Sequence, residues 1–185
     1  MTYYARHLPH WDPDGKTLFV TWRLFGSLPP AVLSKYTDLN RTAPGKAFAE
    51  IDRFLDRVTS GPRWLARDDL ASVLVETLQR GDQPLGLFEL YAWVVMPNHV
   101  HVLLQPAAPL AKITQGIKGA TARKANDLLG IAGQPFWQNE SFDHWVRNGQ
   151  EMERIKLYIE WNPVKAGLVD NPEKWRWSSA SSAAF

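Results

Sequence analysis

Apolar and polar positions alternate with two different periods along this chain, and each change of period marks an element. Tyr91–Val95 and Val100–Leu104 are apolar runs of strand length, rich in β-branched and aromatic residues, with Met96-Pro97-Asn98 between them. They predict two adjacent antiparallel strands joined by a tight turn. Thr17–Leu24 predicts an earlier strand of the same character, and Phe136–Gln138 with Phe142–Val146 bracket a fourth strand region. Helical spacing occurs between these runs. A helix is expected over 31–40, after Pro30. Lys46–Val58 carries Phe48, Ile51, Phe54, Leu55 and Val58 at helical spacing, and its charges (Glu50, Asp52, Arg53, Asp56, Arg57) read as a solvated face. Asp68 or Asp69 is placed to cap a helix running to Gln79, with Leu70, Val73, Leu74, Thr77 and Leu78 as its core stripe. Leu110–Leu129 predicts a long helix with Ile113, Ile117, Ala120 and Leu128 inward. Asn148 followed by Glu151 resembles a capping box; it opens a last helix that turns Met152, Ile155 and Ile159 to the core and ends at Pro163.

The resulting order is strand, helix, strand, strand, helix, strand, helix. Its first six elements match the β-α-β-β-α-β ferredoxin-like motif, so the expected class is α+β. One domain over 1–185 is expected. It has an irregular N-terminal arm (1–16), a helical insertion after the first strand (28–67) and a C-terminal tail (170–185) that packs Trp175 and Trp177 back. A chain of 185 residues, 45% hydrophobic and 22% charged, is ordinary for a soluble globular domain with its own core. The absence of cysteine excludes a disulfide framework and a cysteine zinc site. Met1–His10 has no apolar signal-peptide core, and no apolar run approaches the ~20 residues of a membrane helix, so a cytoplasmic location is expected. The net charge of +2 neither demands nor excludes nucleic acid; its distribution matters more.

Candidate chemistry begins at His99 and His101. Side chains two apart on a strand project from one face, with Val100 and Val102 on the other. Two imidazoles side by side are what a metal site needs from a strand; the alternative is a polar pair on a half-exposed sheet. Tyr158 and Asn162 lie four apart on the predicted last helix, hence on one face. They either complete a site begun by the histidines or are a half-buried aromatic and a polar helix end. Leu110–Leu129 carries Lys112, Lys118, Arg123 and Lys124 with no acidic residue before Asp127. That stripe is a solvated face or, beside a phosphodiester site, a contact for the DNA backbone.

The segments MPNHVHVLL, FWQ…DHWVRN, YIEWNPVKAGLV and WRWSSA, in this order and spacing, resemble the REP-associated tyrosine transposases. These belong to the single-tyrosine HUH transposases, whose name denotes two histidines around a hydrophobic residue, here His99-Val100-His101. The resemblance runs from about Thr17 to Ser179. It implies the ferredoxin-like fold, Tyr158 as nucleophile and His99, His101 and Asn162 as ligands of a divalent cation. With no thiolate, that set suits Mg²⁺ or Mn²⁺. It further implies that single-stranded DNA is cleaved and rejoined at hairpins through a covalent 5′-phosphotyrosine that frees a 3′-hydroxyl. Gln138 and Arg147 stand at motif positions of the family, where they either touch DNA or hold the fold. The family docks the tyrosine helix on its own subunit or on a partner's; the REP-associated branch resembles the self-docked monomer. Two other functions stay open on the residues alone. One is a metal nuclease that uses water, with Tyr158 structural. The other is a hairpin-DNA binding protein without catalysis.

Overall fold

The computed structural model describes residues 2–5, 9–12, 15–34, 42–57 and 60–181. The strands are β1 (Thr2–Ala5), β2 (Pro9–Asp12), β3 (Leu18–Arg23), β4 (Phe88–Val95), β5 (His99–Pro106) and β6 (Phe142–Trp145). The helices are α1 (Pro44–Arg57), α2 (Asp68–Asp82), α3 (Leu110–Leu129), α4 (Gly149–Glu160) and α5 (Asn162–Lys165). The last four strands form one sheet in the order β4-β5-β3-β6, with every neighbouring pair antiparallel. Helix α2 links β3 to β4 and α3 links β5 to β6, as a β-α-β-β-α-β chain requires. The α+β ferredoxin-like expectation is therefore met.

The period-two alternation divides the core between the two faces of this sheet. Leu18, Val20, Trp22, Val100, Val102 and Leu104 pack with Leu70, Leu74 and Leu78 of α2 and Ile113 and Ile117 of α3. Phe19, Ala92, Val94 and Leu103 point the other way, against Ile159 of α4 and Phe48 of α1. In register, Thr21 lies opposite His101 and Arg23 opposite His99. Both histidines thus belong to the second face, beneath α1 and α4.

Several local expectations are revised. The N-terminal arm is not irregular: β1 and β2 pair antiparallel. Helical structure is present over 30–34, and the remainder of the helix expected over 31–40 lies outside the described residues. Neither Asp68 nor Asp69 caps α2, whose N-cap is Arg67. Asp69 instead takes the Arg67 guanidinium at 2.6 Å, and Asp68 Oδ1 accepts from Trp177 Nε1 at 3.2 Å. On α3, Ala120 is exposed, as is Leu128. The inner stripe is Leu110, Ile113, Ile117, Thr121 and Ala125. Thr121 can stand there because its hydroxyl donates to Ile117 O at 2.7 Å and accepts from Trp137 Nε1 at 2.9 Å. Asn148 does cap α4, its Oδ1 accepting from Glu151 N at 2.9 Å. The Glu151 side chain reaches back to Arg147 N at 2.8 Å.

After α5 the tail returns along β4. Val95 N donates to Trp177 O, Ser179 N to Trp93 O, Trp93 N to Ser179 Oγ and Trp175 Nε1 to Val95 O, at 2.8–3.1 Å. Trp177 is buried, as the sequence suggested. Among the described residues, no helix is long and apolar enough to cross a membrane.

Gly81 marks a close approach of α2 to the sheet. A Cβ there would lie 2.5 Å from the ring of Phe88, which is itself buried. Gly81→Ala is expected to destabilise the fold by about 1–3 kcal/mol, since overpacking outweighs the helix-propensity gain of Ala. Urea unfolding with an unchanged midpoint would contradict that contact.

Candidate active site

Strand β5 holds His99 and His101 with both Nε2 atoms facing one point, 3.1 Å apart. Each ring is oriented from behind. His99 Nδ1 is 2.7 Å from Asn98 Oδ1, and Asn98 Nδ2 donates to Leu55 O at 3.0 Å. The amide oxygen only accepts, so the Nδ1 of a neutral His99 carries the proton and its Nε2 presents a lone pair inward. His101 Nδ1 lies 2.7 Å from Thr21 Oγ1 across the strand pair. Hydrogen bonds of this kind are what orients metal-binding imidazoles. Asn98, read from sequence only as a turn residue, thus also ties β5 to α1.

Helix α1 closes the point from above, and here the sequence reading is corrected. Asp52 and Asp56 were placed on a solvated face, yet Asp52 is buried and Asp56 half-buried. They fall one turn apart, and Asp52 follows Phe48 by four residues and precedes Leu55 by three, so both turn toward the sheet with the apolar stripe. Asp52 Oδ1 is 3.1 Å from His101 Nε2 and 3.6 Å from His99 Nε2. Asp56 Oδ1 is 3.8 Å from His99 Nε2. Asp52, His99 and His101 offer ligand atoms that all lie within 4.8 Å of one another.

The fourth side is built by α4 and α5. Asn162 stands at the start of α5 with its amide nitrogen 3.3 Å from His101 Nε2. Tyr158, one turn earlier, donates its hydroxyl to Asp52 Oδ2. Its ring stands 5.8 Å from that of His101 and 6.0 Å from that of Phe19, and Lys165 Nζ lies 4.3 Å above it. The expected meeting of His99, His101, Tyr158 and Asn162 therefore occurs within one chain.

Burial sets the electrostatics. His99, His101 and Asn162 are all 0% exposed. Burial, with His101 beside it and Asp52 opposing, pushes His99 down to about 3, which leaves it neutral at physiological pH. Burial also works against the Asp52 charge, but His101, His99 and the Tyr158 hydrogen bond overcome it and hold the carboxyl well below its usual range. For Asp56, burial and then the neighbouring Asp52 charge outweigh His101, Lys165 and Arg57, and it rises to about 7. Burial and Asp52 raise Tyr158 well above a free phenol.

These residues fit a cation. Asp52 Oδ1, Asp56 Oδ1 and Asn162 Oδ1 are buried and accept no hydrogen bond. The short approach of Asp52 to His101 is a hydrogen bond only while His101 Nε2 holds a proton; a cation would serve the same oxygen. A half-turn of the Asn162 amide brings its oxygen to the place its nitrogen holds, beside His101 Nε2. Carboxylate, amide and imidazole donors without thiolate suit Mg²⁺ or Mn²⁺.

The basic stripe stands elsewhere. It was expected beside the histidines, but α3 packs on the opposite face of the sheet, because Ile113 and Ile117 share the core of Val100 and Val102. Lys112, Arg123 and Lys124 are exposed there, with Lys124 Nζ 3.7 Å from Glu76. Lys118 donates to Asn139 O at 3.0 Å and lines a groove of about 480 Å³ together with Gln138. Arg147 is exposed at the entry to α4, where its backbone amide serves the helix cap.

A structural comparison supports the fold. A solved REP-associated tyrosine transposase, bound to a REP hairpin, is 21% identical and superimposes with a TM-score of 0.56 over 97% of this chain and 82% of that one. Two curated relatives match in sequence. A REP-associated tyrosine transposase of Escherichia coli K12 is 28% identical over 96 residues, which is 50% of this chain and 54% of the relative. A Haemophilus influenzae relative is 24% identical over 103 residues, 50% of this chain and 58% of that protein. The chain thus spans about half the length of the curated relatives it matches. The family model described as "Transposase IS200 like" matches residues 67–162, a segment that contains both histidines, the tyrosine and Asn162. The chain belongs to the IS200-like transposase family.

Proposed function

We propose that this chain is a metal-dependent transposase and endonuclease of single-stranded DNA. It cleaves and rejoins hairpin-bearing strands through a covalent 5′-phosphotyrosine on Tyr158. The observation that carries this reading is the presence, in one chain, of a half-buried tyrosine whose hydroxyl meets a two-histidine, carboxylate and amide cluster. His99, His101 and Asn162, with Asp52 beside them, would hold Mg²⁺ or Mn²⁺; when bound, such an ion polarises a phosphodiester and stabilises its developing charge. Tyr158 Oη attacks phosphorus, forming the phosphotyrosyl bond as the bond to the 3′-oxygen breaks. One proton leaves Tyr158 and one is gained by the departing 3′-oxygen, so the step balances. The bond energy is retained, and the freed 3′-hydroxyl can reverse the step on another strand without ATP.

The test is incubation of the protein with single-stranded hairpin DNA and Mg²⁺ or Mn²⁺, followed by a denaturing gel. A protein–DNA adduct that depends on the ion is expected. Cleavage without an adduct would mean that water is the nucleophile, and binding without cleavage would leave a hairpin-binding protein.

Hairpin binding is assigned to the α3 face and its groove, with Gln138 and Lys118 at the groove wall and Lys112, Arg123 and Lys124 outside it. Arg147 is assigned to the same task from the entry to α4. Replacing Lys118 and Arg123 together by Ala should weaken binding to all hairpin sequences alike. It should also reduce the salt dependence of log K by about 2, since each lost phosphate contact removes roughly 0.9 from the slope. Fluorescence anisotropy at several salt concentrations checks this, and an unchanged slope would remove α3 from the interface.

A further inference from the structure

Asp52 occupies a position that the family match does not reach, since the matched segment begins at residue 67. Its helix belongs to the segment inserted between the first two strands of the central sheet. One carboxylate here spans two functions: Oδ1 lies 3.1 and 3.6 Å from the Nε2 atoms of His101 and His99, and Oδ2 accepts the Tyr158 hydroxyl. A simple buried ion pair would be the plainer explanation. It fits poorly, because His99 Nε2, 3.6 Å from Oδ1, presents a lone pair, and the one proton that His101 Nε2 can hold faces both Oδ1 and that nitrogen at 3.1 Å. An anionic oxygen buried against lone pairs is costly unless a positive centre joins them.

Its placement is also rigid. The backbone at Leu55 is held by Asn98, the residue that orients His99. Phe48, one turn before Asp52, stacks on Phe142 at 4.2 Å and meets Phe19 edge-on at 5.4 Å. The inserted helix therefore docks on the same face of the sheet that carries the histidines, and no loose surface side chain is involved.

We propose that Asp52 is a positioning residue that couples the cation to the nucleophile. Its Oδ1 is a further ligand of the divalent ion, and its Oδ2 sets the position of Tyr158 Oη. This rests on the reading of Tyr158 as nucleophile. Ion binding and tyrosine alignment become one event, since the ion fixes the carboxylate and the carboxylate fixes the phenol. The rival is a plug, in which the carboxylate fills the place of the substrate's phosphate; its removal would then speed cleavage.

The experiment compares wild type with Asp52→Asn and Asp52→Glu in three measurements. These are Mn²⁺ binding without DNA by calorimetry, hairpin affinity, and the single-turnover rate of adduct formation. For Asp52→Asn the expected result is a loss of Mn²⁺ affinity of at least the roughly 10–100-fold that outer partners of metal ligands command. The adduct rate should fall about 100-fold, the scale of a ~1 Å misplacement, with hairpin affinity unchanged. Asp52→Glu should recover part of the Mn²⁺ affinity but little of the rate, because the longer arm displaces Tyr158 Oη. Wild-type Mn²⁺ affinity in Asp52→Asn, or an adduct rate equal to or above wild type, overturns the proposal. If Asp52→Asn does not fold, Asp52→Glu decides alone, and wild-type values in both measurements overturn it. If wild type forms no adduct while Asp52→Asn loses Mn²⁺, the ligand assignment holds and the tyrosine mechanism fails.

Discussion

Tyr158→Phe is expected to bind hairpin DNA like wild type, to bind Mn²⁺, and to form no covalent adduct. The substitution removes one oxygen and keeps the ring among Phe19, Phe48 and Lys165. The folding cost is the hydrogen bond to Asp52, on the order of 1.5–3 kcal/mol for a bond to a charged group. Among the tyrosines whose side chains the structure describes, Tyr91 cannot substitute. Tyr91, on the strand beside the histidine strand, donates its hydroxyl to Glu89 Oε2 at 2.9 Å, with the Gln105 amide 3.1 Å from the same oxygen. Tyr158 is also well mounted: a helix holds a nucleophile rigidly, and in-line attack tolerates little misplacement. The measurement is single-turnover cleavage on a denaturing gel, run beside a hairpin-binding assay. Cleavage at a wild-type rate by the Phe variant would assign the attack to water and end the transposase mechanism.

The second large effect concerns the cation without any DNA. Three buried oxygens without donors and two inward imidazole nitrogens make the ion-free site an unfavourable arrangement. An ion that binds only the folded state stabilises it by about 2.7 kcal/mol at 100 times its Kd. For a chain of this size that corresponds to roughly 5–10 °C in Tm, at about 2–4 °C per kcal/mol. Mn²⁺ should produce this shift in wild type, EDTA should reverse it, and His101→Ala should not show it. Ca²⁺, larger and demanding more oxygens, should shift Tm less. A Tm indifferent to Mn²⁺ in wild type would dismiss the metal centre while leaving the fold untouched.

The histidine pair, the tyrosine and the asparagine were legible because their spacing is local. Period two on a strand and one turn on a helix fix a shared face before any tertiary structure is known. The sheet order was legible for a similar reason, through the succession of periods. Asp52 and Asp56 were not. Acidic residues among basic ones on an amphipathic helix ordinarily face water, and only their place beside Phe48 and Leu55 hinted otherwise. What buries them is packing of the inserted helix onto a distant strand, which no local pattern encodes. Asn98 escaped notice because its turn position already explained it. The α3 lysines were misplaced relative to the site because a basic stripe on a helix carries no information about which face of the sheet that helix covers. Ala120 was misread through hydrophobicity alone, since its neighbour Thr121, with both hydrogen-bonding roles filled, takes the inward position, while Leu128 sits exposed in the last turn of the helix.

The returning tail has a consequence for how copies of this chain meet. A strand at the border of a sheet normally offers its unpaired amides and carbonyls as a template for another chain. Along Trp93–Val95 the outward groups are already taken: both amides and both carbonyls of Trp93 and Val95 are bonded to residues 175–179. At this end of β4 the molecule blocks its own extension, as a cap blocks a growing fibre. A neighbouring copy gains no ladder there, so strand exchange and sheet-to-sheet aggregation are closed off at that border. The residues that do this also bury Trp177 and receive Asp68, so the cap is held by the core it protects.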